Sequence, residues 1–551
     1  MGCDWYKDRV FYQIWPRSFK DGSGDGVGDL YGVLEKLDYL KSLGIGGIWF
    51  SPLYPSPNAD FGYDVSDYCD ISPEYGGLDV FRKVLKRAHE LDIKVILDLV
   101  IAHTSDEHEW FRKSRDKDSP FRDFYFWRRG KDEGKAPNNW SSVFSKGAWS
   151  FDPASGEHYL HLHHSKQVDL NMDNPRVREE IKKVMRFWLD MGVDGFREDV
   201  ITYISKPEDL PDDLFFRAVK GLRFYDCGPK VHEYLQEFRT DVLDHYDCFT
   251  VGEAPMISPK KALSFVSGPH PDLDMVFGFK HMEADCFLKE YLPLPFSLRK
   301  LKRAFGSWQK ALNGRAWNAL YLENHDHPRV VSRYGSKRYR KESAKALAAC
   351  YMLQQGTPFV FQGQELGMGN MPLDDISKYE DCLAKSAYEK GIRFLPKKLV
   401  LKIIQRASRD NARTPVQWTG GRSAGFSEAE PWFFVNPDHT VFNAEDEDKD
   451  PDSVLNFYRA LIRLRTASDI ARYGDYKDLA PLNPRLYMYE RRLGERSLLV
   501  ICSFSDRPLK FRLPGGSRGR AAKLVLGNYG GEELEMTSAL RPREVRVYEL
   551  G

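Results

Sequence analysis

The chain is predicted to be an α/β protein: a (β/α)8 TIM barrel with an inserted subdomain after strand three and a C-terminal antiparallel β domain. Three observations predict this. Short apolar, β-branched runs alternate with helical patterns over most of the 551 residues, as parallel strands with crossover helices require. Four of the runs end in polar segments, Asp98-Leu-Val-Ile-Ala-His103, Gly195-Phe-Arg-Glu-Asp199, Thr250-Val-Gly-Glu253 and Glu323-Asn-His-Asp326, and barrel chemistry sits at the C-terminal ends of strands. Beyond Ala467 apolar and polar residues alternate between turns, as in Arg485-Leu-Tyr-Met-Tyr-Glu and Ser497-Leu-Leu-Val-Ile-Cys, the pattern of a small antiparallel sheet.

The elements follow in order. Val10 to Trp15 is the first strand. Asp29 to Leu43 is helical, with Leu30, Val33, Leu34, Leu37, Leu40 and Leu43 at three- and four-residue spacing. Ile45 to Phe50 is the second strand, Val80 to Leu91 a helix, and Ile93 to Val100 a strand apolar enough to be buried on both faces. From Thr104 to Asn171 the helical period fades, and so long a break reads as an inserted subdomain. Pro175 starts the next helix, which runs to Met191. Strands four to eight are Gly195 to Val200, Cys248 to Glu253, Asp274 to Phe277, Asn318 to Glu323 and Pro358 to Gln362. An irregular segment, Gln364 to Asp452, precedes the last helix, Val454 to Arg465. Residues 1–103 and 172–467 are thus assigned to the barrel, 104–171 to the insertion, and 468–551 to a C-terminal β-sandwich.

Composition excludes some functions. Lys plus Arg is 81 and Asp plus Glu is 80, so nothing steers the protein toward nucleic acid or an anionic membrane. The N-terminus has no apolar h-region, Gly2 lacks a myristoylation context, and no apolar run is long enough to span a bilayer. The eight cysteines form no Cys-x-x-Cys and are expected to be reduced thiols. A cytoplasmic monomer or weak homo-oligomer acting on a small molecule is expected. Aromatic residues at 13% suit a sugar site, though a large core needs them too.

The acids at the strand ends suit glycosidic bond cleavage. A retaining mechanism needs two carboxyl groups about 5–5.5 Å apart, one attacking and one protonating the leaving oxygen. Asp199 and Glu253 end neighbouring strands. Arg197 lies two residues before Asp199 and shares its side of the strand, where it would keep Asp199 ionised. Asp21-Gly-Ser-Gly-Asp-Gly-Val-Gly-Asp29 sets oxygen donors at alternate positions, from Asp21, Ser23, Asp25, Asp29 and the Val27 carbonyl. This spacing mimics the start of an EF-hand loop. A structural calcium, or magnesium, is expected there, and no organic cofactor. His158-Tyr-Leu-His-Leu-His-His164 puts His161 and His163 on one face of a strand, but no further ligand pattern supports zinc.

In this order, from Tyr12 to about Leu464, the segments resemble the signature regions of the α-amylase superfamily, glycoside hydrolase family 13, and within it the oligo-1,6-glucosidase and α-glucosidase branch. The resemblance implies Asp199 as nucleophile, Glu253 as general acid/base, and Asp326 as the third acid that stabilises the oxocarbenium-like transition state. It implies that His103 and His325 bond hydroxyls of the sugar in subsite −1. Asn58-Ala-Asp-Phe-Gly-Tyr-Asp64 resembles the segment that closes this pocket, with Asp60 accepting from remote hydroxyls and Tyr63 under the ring. Ser408-Arg-Asp-Asn-Ala-Arg-Thr-Pro415 resembles the stretch supplying an arginine to that Asp, here assigned to Arg413. Val200 after the nucleophile goes with α-1,6 preference. The Asp21–Asp29 loop resembles the family's calcium loop, and the His158–His164 segment resembles one with an aromatic packing role.

The sequence departs from the family pattern at Ala102, Glu198, His327 and Phe61. Glu198 is expected to point toward the helices, in space left by a missing Asn at position 102. The expected activity is that of an exo-acting retaining α-glucosidase preferring α-1,6 linkages. The alternatives are a sucrose isomerase, a hydrolase of sucrose or trehalose derivatives, and a non-catalytic scaffold of the same fold. The stretch Val331-Ser-Arg-Tyr-Gly-Ser-Lys-Arg-Tyr lacks the Asp of many isomerases. A phosphorylated substrate would draw on Lys166 or Arg329.

Overall fold

The computed structural model describes residues 4–551 except 133, 145, 146, 218, 288, 372, 514–519, 531–533 and 536. Eight parallel strands form one sheet: β1 (Phe11–Ile14), β2 (Gly47–Phe50), β3 (Lys94–Leu99), β4 (Gly195–Glu198), β5 (Phe249–Glu253), β6 (Met275–Phe277), β7 (Ala319–Leu320) and β8 (Thr357–Phe361). Their order is β6-β5-β4-β3-β2-β1-β8-β7. The sheet curls into a (β/α)8 barrel, and across the β6/β7 seam the rings of Phe277 and Tyr321 meet edge to face at 5.3 Å. Phe11, Trp49, Ile96, Val251, Met275, Phe277 and Phe359 fill the barrel interior as one buried cluster.

The twofold period of a strand then places the chemistry. Two residues beyond Phe11, Ile96 and Val251 come Gln13, Asp98 and Glu253, stacked above the apolar layer on the same side. On β4 the inward series is Gly195, Arg197, Asp199. A Cβ on Gly195, at φ 146°, would lie 2.0 Å from the Phe249 carbonyl oxygen, so glycine lets β4 and β5 close up and brings Arg197 level with Val251. The outward residue Glu198 faces the helix Val231–Asp241, as its parity demands.

β7 is shorter than the predicted Asn318 to Glu323. Beyond Leu320 the chain leaves the ladder, and Glu323 instead accepts from Arg329 and from the Val330 backbone N–H. The stretch Gln364 to Asp452 is not irregular throughout. It contains helices Cys382–Gly391, Lys397–Ala407 and Ala444–Lys449. Val400 and Ile404 pack with Ala384, Leu373 and Phe433 in a separate small cluster, away from the barrel core.

The insertion leaves the barrel through a two-stranded antiparallel stalk, His103–Ser105 against Gln167–Asp169. Beyond the stalk is a three-stranded sheet of Trp127–Arg128, Glu157–Leu160 and Trp149–Asp152. His103 therefore stands on the stalk, just past β3. After helix Val454–Ala467 a five-stranded antiparallel sheet and a two-stranded one enclose Leu486, Met488, Leu499, Ile501, Leu509, Phe511 and Tyr548. Among the described residues no helix is long and apolar enough to cross a membrane.

Candidate active site

Arg197 organises the cleft. Its Nη1 donates to Asp98 Oδ1 at 2.6 Å and to Asp199 Oδ1 at 2.7 Å, and its Nη2 lies 2.6 Å from Glu253 Oε2. One guanidinium fork thus holds both expected catalytic carboxyl groups, and Asp199 and Glu253 are near enough to hydrogen-bond each other. Such closeness suits a double displacement; inverting enzymes need about 6.5–9.5 Å to admit a water. Burial raises the Glu253 pKa to about 8 against the attraction of Arg197, with Asp199 and Asp326 adding to the rise. Burial also raises Asp199, to about 7, against Arg197. Both carboxyl groups are thus held above the ordinary carboxylate range, by burial first. One carboxylate beside one carboxylic acid is the state glycosidic cleavage needs.

Val200 follows Asp199 in the left-handed region, at φ 36°, ψ 42°. A β-branched residue there carries about 1–3 kcal/mol of strain. The conformation aims its backbone N–H at Glu253 Oε2, 3.2 Å away, so the turn after Asp199 also fixes Glu253.

Asp326 lies across the cleft. His325 Nε2 is 3.2 Å from its Oδ2, and Arg409 Nη1 and Arg413 Nη2 lie 3.1 and 3.5 Å from its Oδ1. Burial opposes its charge, but these three groups outweigh burial and hold Asp326 well below the usual carboxylate range. The His325 ring is sandwiched between Trp15 and Tyr63, at 5.3 and 5.2 Å. The Gln13 amide nitrogen is 2.7 Å from its Nδ1, which leaves the proton on Nε2, facing Asp326 and the Tyr63 oxygen. The Tyr63 hydroxyl donates to Asp98 Oδ2 at 3.0 Å. His103 Nε2 lies 3.0 Å from the Tyr63 carbonyl and 3.1 Å from Gln167 Nε2.

One assignment is corrected. Arg409, not Arg413, pairs with Asp60, through Nη2 at 3.3 Å. Arg409 is anchored from behind by Asp381 at 2.9 Å and so bridges Asp60 and Asp326. Arg413, four residues on, stacks over Trp15 at 4.6 Å, donates from Nε to the His325 carbonyl at 3.3 Å and lies 3.5 Å from Asp326. Asp98, Arg409, Asp381 and Gln167 were given no role from sequence. Asp98 was discoverable, since it begins the β3 segment at the parity of Arg197.

The structure separates Ala102 from Glu198. Ala102 accepts from Leu170 N at 3.0 Å, in the stalk. Glu198 is raised to about 8 by burial, eased by Arg239 and reinforced by Asp274 and Asp272. Its electrostatic neighbours are therefore on the helix side, and the expected link between the two positions fails. Arg329 is not free for a phosphate. It is fully buried and spends its Nη1 on Glu323 and the Gln362 carbonyl.

The Asp21–Asp29 loop offers only oxygen donors, which suits a hard cation. In this structure its carboxylates serve the loop itself. Asp21 accepts from Gly24 N and Gly26 N, and Asp29 from Ser23 N and Gly32 N. Among the described residues the one group of acidic, histidine or cysteine ligand atoms gathered closely enough for a metal is Glu179, Glu237 and Asp241. That group holds Lys182 instead.

Residues 13–474 match the family model for the α-amylase catalytic domain. The chain belongs to the α-amylase family, glycoside hydrolase family 13. It is 46% identical to the oligo-1,6-glucosidase of Parageobacillus thermoglucosidasius, over 99% of both chains. It superimposes on the trehalose-6-phosphate hydrolase of Bacillus licheniformis with TM-score 0.94 and 42% identity, covering 99% of each. For the trehalulose synthase of Pseudomonas mesoacidophila MX-45 the values are 0.95 and 39%, covering 100% of each. This family member is a glycoside hydrolase with a small carbohydrate substrate.

Proposed function

We propose that the protein is an exo-acting retaining α-glucosidase that releases terminal glucose from short α-1,6-linked oligosaccharides. The observation that carries the retaining mechanism is the single guanidinium spanning Asp199 and Glu253. Asp199 attacks the anomeric carbon while Glu253 gives its proton to the leaving oxygen, forming a covalent glucosyl-enzyme. Glu253, then ionised, draws a proton from water, which displaces Asp199. Asp326, kept anionic by His325, Arg409 and Arg413, stabilises the positive charge that develops on the sugar ring. The Asp60–Arg409–Asp326 bridge closes one end of the cleft, which favours a terminal sugar over a mid-chain one. The α-1,6 preference is supported by the 46% relative and by Val200. Isomaltose, maltose, sucrose, trehalose and panose, scored for products and rates, test this reading. It requires isomaltose cleaved fastest and glucose as the sole monosaccharide released from it. Trehalulose or isomaltulose accumulating from sucrose as the main product would replace hydrolysis with isomerisation.

A calcium ion, or magnesium, at Asp21, Ser23, Asp25, the Val27 carbonyl and Asp29 belongs to the same proposal, as a structural element remote from the acids. An ion bound only by the folded state raises the melting temperature by mass action. Chelation should therefore lower it, and Asp21→Ala should abolish that response. Elemental analysis without bound metal would remove the site. A cytoplasmic location is supported by the described cysteines, Cys69, Cys227, Cys248, Cys286, Cys350, Cys382 and Cys502, all free thiols; recovery of the enzyme in the extracellular fraction of its host would refute it.

A further inference from the structure

Histidines 158, 161 and 163 have different surroundings. His158 packs against Phe151 at the outer sheet, at 5.2 Å. His161 is satisfied, with Nε2 2.9 Å from Ser150 Oγ and Nδ1 3.3 Å from the His163 carbonyl. His163 is different. It is 9% exposed, and its ring lies among His103 at 5.1 Å, Phe144 at 5.8 Å and Tyr203 at 6.1 Å. Each neighbour belongs to the cleft. His103 joins the Tyr63–Gln167 cluster, Phe144 carries the Arg409 guanidinium at 5.4 Å, and Tyr203 lies on the turn after Val200. The charges felt by His163 include that of Asp326. The ring therefore forms part of the pocket wall.

Only the backbone carbonyl of His163 makes hydrogen bonds, to Ser142 and His161. Among the described residues neither ring nitrogen has a partner, and Nδ1 is fully buried. A purely packing role would be met by phenylalanine at no such cost. A buried nitrogen left without a partner is destabilising. Burial holds the imidazole well below its usual pKa, so the neutral ring offers one donor and one acceptor, as a sugar hydroxyl does. A metal is not the missing partner, since no closely gathered ligand group among the described residues contains His103, His161 or His163.

We propose that His163 hydrogen-bonds a hydroxyl of the glucose held in the closed pocket and makes the enzyme selective for it. This rests on the α-glucosidase reading above. A site built to bond a hydroxyl rejects the analogue lacking it far more strongly than an apolar wall does. The test is kcat/KM for p-nitrophenyl α-glucoside and its 2-, 3-, 4- and 6-deoxy analogues, in the wild type and in His163→Phe. The variant should lose about 10–100-fold on the parent and on three analogues, and under about twofold on the one analogue that lacks the bonded hydroxyl. Loss by one common factor on all five substrates, or no loss, overturns the proposal. If His163→Phe does not fold, by thermal melting, His163→Leu is read on the same panel by the same criterion. A wild type that leaves the parent glucoside intact would instead refute the α-glucosidase reading.

Discussion

Two pairs of buried arginines show how one side chain serves opposite ends. In the cleft, burial works against the charge of Arg197, but Asp98 and Glu253 outweigh it and hold its pKa well above normal. Arg409 is held the same way by Asp381, Asp60 and Asp326. Where the barrel meets the C-terminal sheet, no carboxylate among the described residues pairs with Arg465 or Arg491. Arg465 donates to the carbonyls of Gln354, Gly356 and Ala471. Arg491 donates to those of Leu353, Ala471 and Gly474. Burial lowers them to about 9 and about 10. Their counter-charge is the carbonyl end of two helices, Arg340–Met352 and Asp469–Tyr473, whose dipoles point negative there. A carboxylate cluster around an arginine sets protonation states for chemistry. A carbonyl cluster around an arginine joins two domains and leaves the site alone.

Breaking each pair should have a different signature. Arg197→Met strips Asp98, Asp199 and Glu253 of their shared cation, so Asp199 takes up a proton. kcat/KM on isomaltose should fall about 10³-fold or more, and Arg197→Lys should recover little, because an ammonium cannot span two carboxyl groups as a fork does. Arg491→Met should leave kcat/KM per folded molecule within about twofold. It should cost about 2–4 kcal/mol of stability in denaturant titration, because several buried carbonyls lose their donor. If Arg491→Met lowers kcat while Arg197→Met does not, the division is wrong.

Glu253 sharpens the same contrast through pH. Its folded pKa of about 8 lies above the ordinary 4.5, so folding favours its protonated form. That contribution is complete below about pH 4.5 and is lost as pH rises through about 8. Glu253→Gln should therefore raise the melting temperature relative to wild type at pH 8 and leave the difference near zero at pH 4.5. The alkaline limb of wild-type kcat/KM should fall near pH 8. A limb near pH 5 would show that Glu253 is not held protonated. The smallest expected effect is at Val200. Val200→Thr should raise the maltose-to-isomaltose rate ratio by a few-fold; an unchanged ratio removes Val200 from linkage choice.

The barrel was legible because parallel strands buried on both faces are written as apolar runs. The acids were legible because strand parity places Arg197, Asp199 and Glu253 inward. What escaped depended on contacts remote in the chain. Nothing local distinguishes Arg409 from Arg413; the choice is made by Asp381, which anchors the former, and by Trp15, which stacks on the latter. The helix Lys397–Ala407 has a clear helical period but packs on a satellite cluster. Glu198 was correctly expected to face the helices, yet its neighbours Arg239 and Asp274 come from elements that parity on β4 cannot name. His163 was read as packing, because its missing partners are visible only once every neighbour is placed.

The central claim is that Asp199 and Glu253, spaced by one guanidinium, carry out two successive displacements. The direct measurement is a proton NMR time course of p-nitrophenyl α-glucoside hydrolysis, fast enough to precede mutarotation. The glucose released should appear first as the α-anomer, with β-glucose growing in only at the rate of mutarotation. β-Glucose as the first product would contradict the account, because a single displacement would then have to run between two carboxyl groups too close to admit a water.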